Sequence, residues 1–234
     1  APRDEQCRGT GWRNIWSDQR TRLFFVCLSM GQFASWAHEA ILEPFGADAF
    51  DLSMGVTTRF NSYWQTATVI TLVFGGFLLR KRPPESQKRN TSIGLWTMAI
   101  GQVVLTFAAT GDQRYLIEVA LLIFGAGFGI YTFGTLSLMA VMSPDRHAGA
   151  YLGLWSISTL VFKGLGTLTG GVLRDLFLLQ MGLPAGLSYG IIFLVQMVGL
   201  AAAALLLSRI DIFGFARDTG RHADHLAAQI ATAD

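Results

Sequence analysis

Apolar residues run along this chain in long blocks, interrupted by short polar or glycine-containing stretches. Six blocks are long enough to cross a bilayer, at about 23–44, 57–79, 93–110, 115–142, 150–173 and 187–207. A hydrocarbon core of about 30 Å needs roughly 17–25 such residues per helix. The blocks are continuous and not ten-residue alternating segments, which excludes a transmembrane β-barrel. The pattern predicts an all-α polytopic membrane protein of six transmembrane helices. Three parts follow: a basic cytoplasmic leader or linker at 1–22, a six-helix domain at 23–207 and a cytoplasmic tail at 208–234.

Composition agrees. Of 234 residues, 51% are hydrophobic and 15% charged, against about 25% charged in soluble domains. Mean hydropathy is +0.41. Net charge is +2, too small for the strong positive field of a nucleic-acid-binding protein. Its distribution matters more. Fourteen of the eighteen Lys and Arg residues fall in 1–22, 80–92, 143–149 and 208–234, and only Arg114 and Arg174 fall in the opposite loops. The positive-inside rule then places both termini in the cytoplasm and the 45–56 loop outside. Cys7 and Cys27 form no framework, and there is no zinc-spaced cluster, Walker A sequence or nucleophile elbow. No enzyme chemistry is legible.

Ionisable groups inside a bilayer are costly and mark functional candidates. The first block carries His38, Glu39 and Glu43, the second Arg59, the fourth Glu118 and the fifth Lys163; Gln65 adds an amide. The third and sixth blocks carry none, with Gln102 and Gln196 their only large polar groups, and so read as peripheral. Ser29, Gln32, Ser35, Glu39 and Glu43 recur every three or four residues, one face of a continuous helix. Lys163, 13 residues into its block, needs a carboxylate partner, a wet cavity or a route to the interface, and Glu39 is a candidate partner if the two helices are neighbours. A structural ion pair, a proton- or ligand-coupled site and snorkelling are the three readings. Glu43 and Arg59 read as a salt bridge at the outer helix ends. His38 reads as a core imidazole or as a ligand to a pigment magnesium. Gly125/Gly129, Gly149/Gly153 and Gly166/Gly170 are GxxxG pairs suited to close helix packing.

The run Glu39-Ala-Ile-Leu-Glu43-Pro44-Phe45-Gly46 resembles the D-x-x-L-E-P-[FY]-G signature of the PucC/LhaA-like proteins, the bacteriochlorophyll-delivery branch of the major facilitator superfamily. Met54-Gly55-Val56-Thr57-Thr58-Arg59 is similar to its continuation, Gly149-Ala150-Tyr151-Leu152-Gly153-Leu154-Trp155 to its G-x-x-x-G-L-W, and Gly170-Gly171-Val172-Leu173-Arg174-Asp175 to its G-G-x-x-[RV]-D. The chain departs at Glu39, where the signature has Asp, and at His38, where Gln is common. The resemblance implies one six-helix half of a facilitator fold whose partners are a second, N-terminal half, membrane lipids, and antenna polypeptides or a reaction centre. Bacteriochlorophyll is the implied cofactor, and the photosynthetic intracytoplasmic membrane the implied location. The function implied is assembly of light-harvesting and reaction-centre complexes. The alternative is a proton-coupled secondary transporter using Glu39, Glu118 or Lys163.

Overall fold

The computed structural model describes residues 19–79, 84–142 and 148–210. The leader before Gln19, with Cys7, and the tail beyond Ile210 lie outside the described residues. Among them the elements are helical throughout. They are α1 (Gln19–Trp36), α2 (Leu42–Phe50), α3 (Met54–Leu79), α4 (Pro84–Thr110), α5 (Tyr115–Met142), α6 (Ala148–Asp175) and α7 (Ala185–Ser208). A π-helical turn, Leu176–Gln180, extends α6. Proline opens α4, where its missing N–H costs nothing and its φ suits a helix. Asp51 ends α2 in the left-handed region at φ 55°, with its N–H on the Ala47 carbonyl and that of Leu52 on Gly46, both 3.1 Å. The Asp51 bond is that of an αL cap, and with the Leu52 bond it satisfies carbonyls at the helix end.

The first expected span is not one helix. It stops at Trp36, turns through residues 37–41 and restarts at Leu42. The cause is Pro44. In a continuous helix its ring would clash with the Ala40 carbonyl and leave that carbonyl without a donor. Restarting at Leu42 puts Pro44 in a first turn, where the missing N–H is harmless. Tight bonds from Glu39 N–H to the Trp36 carbonyl and from Ile41 N–H to the His38 carbonyl, both 3.1 Å, close the turn. The expected single face therefore ends at Ser35, and Glu39 and Glu43 belong to the break and to α2.

Four helices among the described residues are long and apolar enough to cross a membrane, where six were expected: Ser86–Thr110, Tyr115–Met139, Leu152–Gln180 and Ala185–Ser208. Helix α1, with 18 residues, opens on Gln19, Arg20 and Arg22 and is not apolar enough, and α2, with nine, is too short. Helix α3 is long enough, but Arg59, Asn61, Gln65 and its hydroxyls dilute its apolar surface. The chain is an all-α polytopic membrane protein.

Helix α4 packs between α5 and α7, α3 lies on α5, and α1 bridges α6 and α7. Small residues set the close contacts. A Cβ on Gly94 would sit 2.5 Å from the Tyr131 backbone nitrogen, and one on Gly127 2.7 Å from that of Met98. The third and sixth blocks, expected at the periphery, are α4 and α7, and they are among the best-buried helices of this domain. Half of the apolar stretch of α4 is buried, against 17% for α6, the most open of these four. Absence of charge leaves a helix free to bury one face while presenting another to lipid: Ile93, Trp96, Ile100 and Phe107 of α4 are exposed. Inside, Gln102 Nε2 donates to Gln196 Oε1 at 2.9 Å, tying α4 to α7. The other amide atoms, Gln102 Oε1 and Gln196 Nε2, are buried without partners. Gln102→Leu alone is expected to lower thermal stability in detergent by about 0.5–2 kcal/mol, since it strands the second amide. Replacing both by Leu should restore wild-type melting, and a double variant weaker than either single one would refute the pairing.

Orientation is checked by cysteine labelling. Asp51→Cys should react with an impermeant maleimide added outside, and Ser86→Cys only after the membrane is opened. Reversal of the two would overturn the orientation inferred from the charge bias.

Candidate functional site, an ion pair in a broken helix

The break between α1 and α2 gathers the polar side chains. Lys163 Nζ, from α6, lies 3.5 Å from Glu39 Oε1. It also sits over the Trp36 indole, 3.6 Å from the ring centroid, a cation–π contact that partly replaces lost hydration. One helical turn along α6, the Thr167 hydroxyl is 3.2 Å from Glu39 Oε2 and 3.4 Å from the Trp36 carbonyl, so it can donate to either. The two side chains of the pair are about a third exposed, 38% for Lys163 and 32% for Glu39. They lie at the edge of the open face of α6 and are not sealed in the core.

Trp36 is held in place. Its Nε1–H donates to Gln32 Oε1 at 2.9 Å, and its ring meets Trp64 and Phe128 edge-on at 5.7 and 5.5 Å. Helix α3 supplies the rest of the support. Trp64 Nε1 donates to Asn61 Oδ1 at 3.1 Å, and Asn61 Nδ2 donates to Glu43 Oε1 at 3.0 Å. Thr68 Oγ1 lies 3.0 Å from the Gly125 carbonyl, which joins α3 to α5. Aromatic packing and side-chain hydrogen bonds thus connect Glu43 to the Lys163–Glu39 pair.

The remaining candidates separate. His38 is buried, edge-on to Phe124 at 4.4 Å and to Trp64 at 5.3 Å. Both its ring nitrogens are sealed from solvent and without a hydrogen-bond partner. A magnesium needs an open approach to one nitrogen, so this packing does not fit a pigment ligated at His38. Arg59 and Gln65 are exposed. Among the described residues no ion pair joins Arg59 to Glu43, whose partner is Asn61. Glu118 is exposed in the first turn of α5, where a carboxylate complements the positive end of the helix dipole.

The glycine pairs also divide. A Cβ on Gly125 would strike the Trp64 carbonyl, and one on Gly129 would come within 2.7 Å of the Thr68 carbonyl. Gly166 and Gly170 abut the Phe33 and Ala37 carbonyls at the end of α1 and the start of the break. Gly149 and Gly153 meet nothing within 4 Å, so among the described residues they serve no helix contact.

A second polar cluster escaped the sequence. Arg174 Nη2 lies 2.7 Å from Asp48 Oδ2, Arg174 Nε donates to Tyr189 Oη at 2.8 Å, and Tyr189 donates to Asp48 Oδ2 at 2.6 Å. Asp175 takes Nη1 at 3.1 Å. The cluster ties α2 to α6 and α7. Arg174 entered as an opposite-loop cation and in the G-G-x-x-[RV]-D likeness, while Asp48, in the 45–56 loop, was not singled out; their opposite signs on one side of the bundle were the available signal.

The family model described as "PUCC protein" matches residues 1–215. Protein PucC of Rhodovulum sulfidophilum is 27% identical over 156 residues, covering 66% of this chain and 33% of that protein. Protein PucC of Rhodobacter capsulatus is 26% identical over 191 residues, 78% of this chain and 41% of the relative. The "Bacteriochlorophyll synthase 44.5 kDa chain" of Rhodobacter capsulatus is 22% identical over 202 residues, 86% and 47%. The aligned stretch thus spans between a third and a half of these curated relatives.

Proposed function

The chain belongs to the PUCC protein family, and from that premise we propose that it is an assembly factor or bacteriochlorophyll-handling protein for light-harvesting and reaction-centre complexes. It works in the photosynthetic inner membrane of a phototrophic bacterium, with both termini cytoplasmic. The observation that carries this is the family match across nearly the whole of an all-α membrane chain. The role is non-catalytic: the chain offers surfaces and a polar cluster at a helix break, and its partners are antenna polypeptides or the reaction centre. Pigment would be held by the apolar faces and not by His38. A second half of the facilitator type would complete the molecule on the open side of α6.

Affinity purification of the full chain from phototrophically grown cells tests the reading. Bacteriochlorophyll absorbance and antenna polypeptides should co-purify, and a deletion strain should lose most of its antenna absorbance. Clean purification without either, together with normal antenna levels in the deletion strain, would refute it.

One feature favours proton-coupled transport as the second reading. Ion pairs at discontinuous helices are where secondary transporters bind substrate and coupling ion, and Glu39–Lys163 lies at such a break. Glu39→Gln abolishing substrate-driven proton uptake in vesicles, with antenna assembly intact, would select that reading.

A further inference from the structure

Two ion pairs join the broken helix to α6. Glu39 meets Lys163 at the break, and Asp48 meets Arg174 near the end of α6, about 16 Å further along that helix. Between the two pairs lies α2, nine residues long, with a joint at each end. On one side the chain leaves helical geometry through residues 37–41. Pro44 has no N–H to return to the Ala40 carbonyl, so this joint lacks a bond that would stiffen it. On the other side Asp51 turns the chain at φ 55°. Element ends of this kind are where hinges absorb a change of backbone angle.

What holds α2 is unevenly spread. Its buried residues, Leu42, Phe45 and Gly46, all lie toward the break. Phe45 sits in a socket of Phe50, Tyr189 and Phe193, with ring centroids 5.4, 5.2 and 5.1 Å away. Beyond it Ala47 and Asp48 are exposed, and the fastening there is polar: Asp48 Oδ2 takes Arg174 Nη2 at 2.7 Å and Tyr189 Oη at 2.6 Å. Tyr189 belongs to the socket and to this fastening at once, so neither loosens without the other. A short rod seated at Phe45, tied at Asp48 and jointed at 37–41 is a lever. We propose that the Asp48–Arg174–Tyr189 cluster is a latch on α2, whose release lets α2 tilt about Phe45 and draws Glu39 from Lys163. The device acts on the ion pair itself, and is the same whichever partner or solute the chain handles.

Hydrogen exchange of the full chain in lipid nanodiscs, read by mass spectrometry beside the rate at which an amine reagent acylates Lys163, tests this. Arg174→Gln should raise exchange across residues 39–50 by about tenfold, the scale of one lost hydrogen bond to a charged group. Lys163, released from Glu39, should acylate about fivefold faster, the upper range for a partly exposed pair, while exchange in α4 and α5 keeps the wild-type rate. Asp48→Asn should match Arg174→Gln, and the two together should add nothing, because both open one latch. Tyr189→Phe keeps the ring on Phe45 and should give a smaller rise in both readouts. Asp175→Asn, which removes the other carboxylate on Arg174, should change neither. Faster exchange confined to residues 47–51, with Lys163 acylated at the wild-type rate, would reduce the cluster to a rim contact and overturn the proposal. Exchange rising equally in every helix would assign the cluster to overall stability and overturn it too.

Discussion

Lys163→Met and Glu39→Gln are each expected to reduce the yield of folded protein severely, and the double variant is expected to recover much of it. Each single change leaves one charge of the 3.5 Å pair in an apolar setting. Breaking a fully buried pair costs about 3–5 kcal/mol because the survivor is uncompensated. Here both side chains are about a third exposed, which screens the survivor, so about 1–3 kcal/mol is the expected loss for each. Removing both charges leaves nothing to compensate. The two single variants should differ. Without Lys163, Glu39 keeps the Thr167 hydroxyl. Without the Glu39 charge, Lys163 keeps only the face of Trp36. Glu39→Gln should thus be the worse of the two, and Trp36→Leu should aggravate it further. The measurement is monodisperse yield and melting temperature in mild detergent, with antenna absorbance in a complemented deletion strain. Additive losses in the double variant would mean that the two side chains do not act as a pair. Restored folding with no restored antenna would assign the pair a chemical duty beyond structure.

The pair was legible in the sequence because a Lys deep in an apolar block admits few partners and Glu39 was the carboxylate at comparable depth. The geometry that unites them was not read. A face count made on a continuous helix ran through Pro44, and the proline is what stops α1 at Trp36 and swings Glu39 into a turn. The residue was visible; its effect on the helix above it was the missed inference. Trp36 and Thr167 show a different limit. An indole and a hydroxyl in a membrane helix carry no periodic or charge signal, and only the crossing of α1 with α6 makes them partners of the ion pair. Glu118 stood inside an apolar block and sits exposed in the first turn of its helix, within the membrane-crossing stretch Tyr115–Met139. The peripheral reading of α4 and α7 concerned the face each turns to lipid; the Gln102–Gln196 bond, which joins the two helices to one another, carried no periodic signal in the sequence.

Gly170→Val is expected to be the most damaging single substitution on α6, and Gly153→Val, on the same helix, close to neutral. The contrast isolates backbone approach from helix propensity, since both place a β-branched residue in a helix interior. At Gly170 the new Cβ would occupy the space of the Ala37 carbonyl oxygen. That atom is backbone, in the turn between α1 and α2, and cannot swing aside as a flexible side chain can. Relief requires α6 to move away from the break, which draws Lys163 from Glu39 and Thr167 from the Trp36 carbonyl. Overpacking a tight contact costs about 1–3 kcal/mol and sometimes more; loss of the adjoining polar contacts places this site at the upper end or beyond. At Gly153 a Cβ meets nothing within 4 Å, so only propensity changes, by a few tenths of a kcal/mol. Gly170→Ala should fall between, because the methyl alone already overlaps the carbonyl. Thermal unfolding of the three variants in one detergent gives the order. Equal melting temperatures for Gly153→Val and Gly170→Val would show that α6 does not rest on the break, and the coupling of helix packing to the Lys163–Glu39 pair would then be lost.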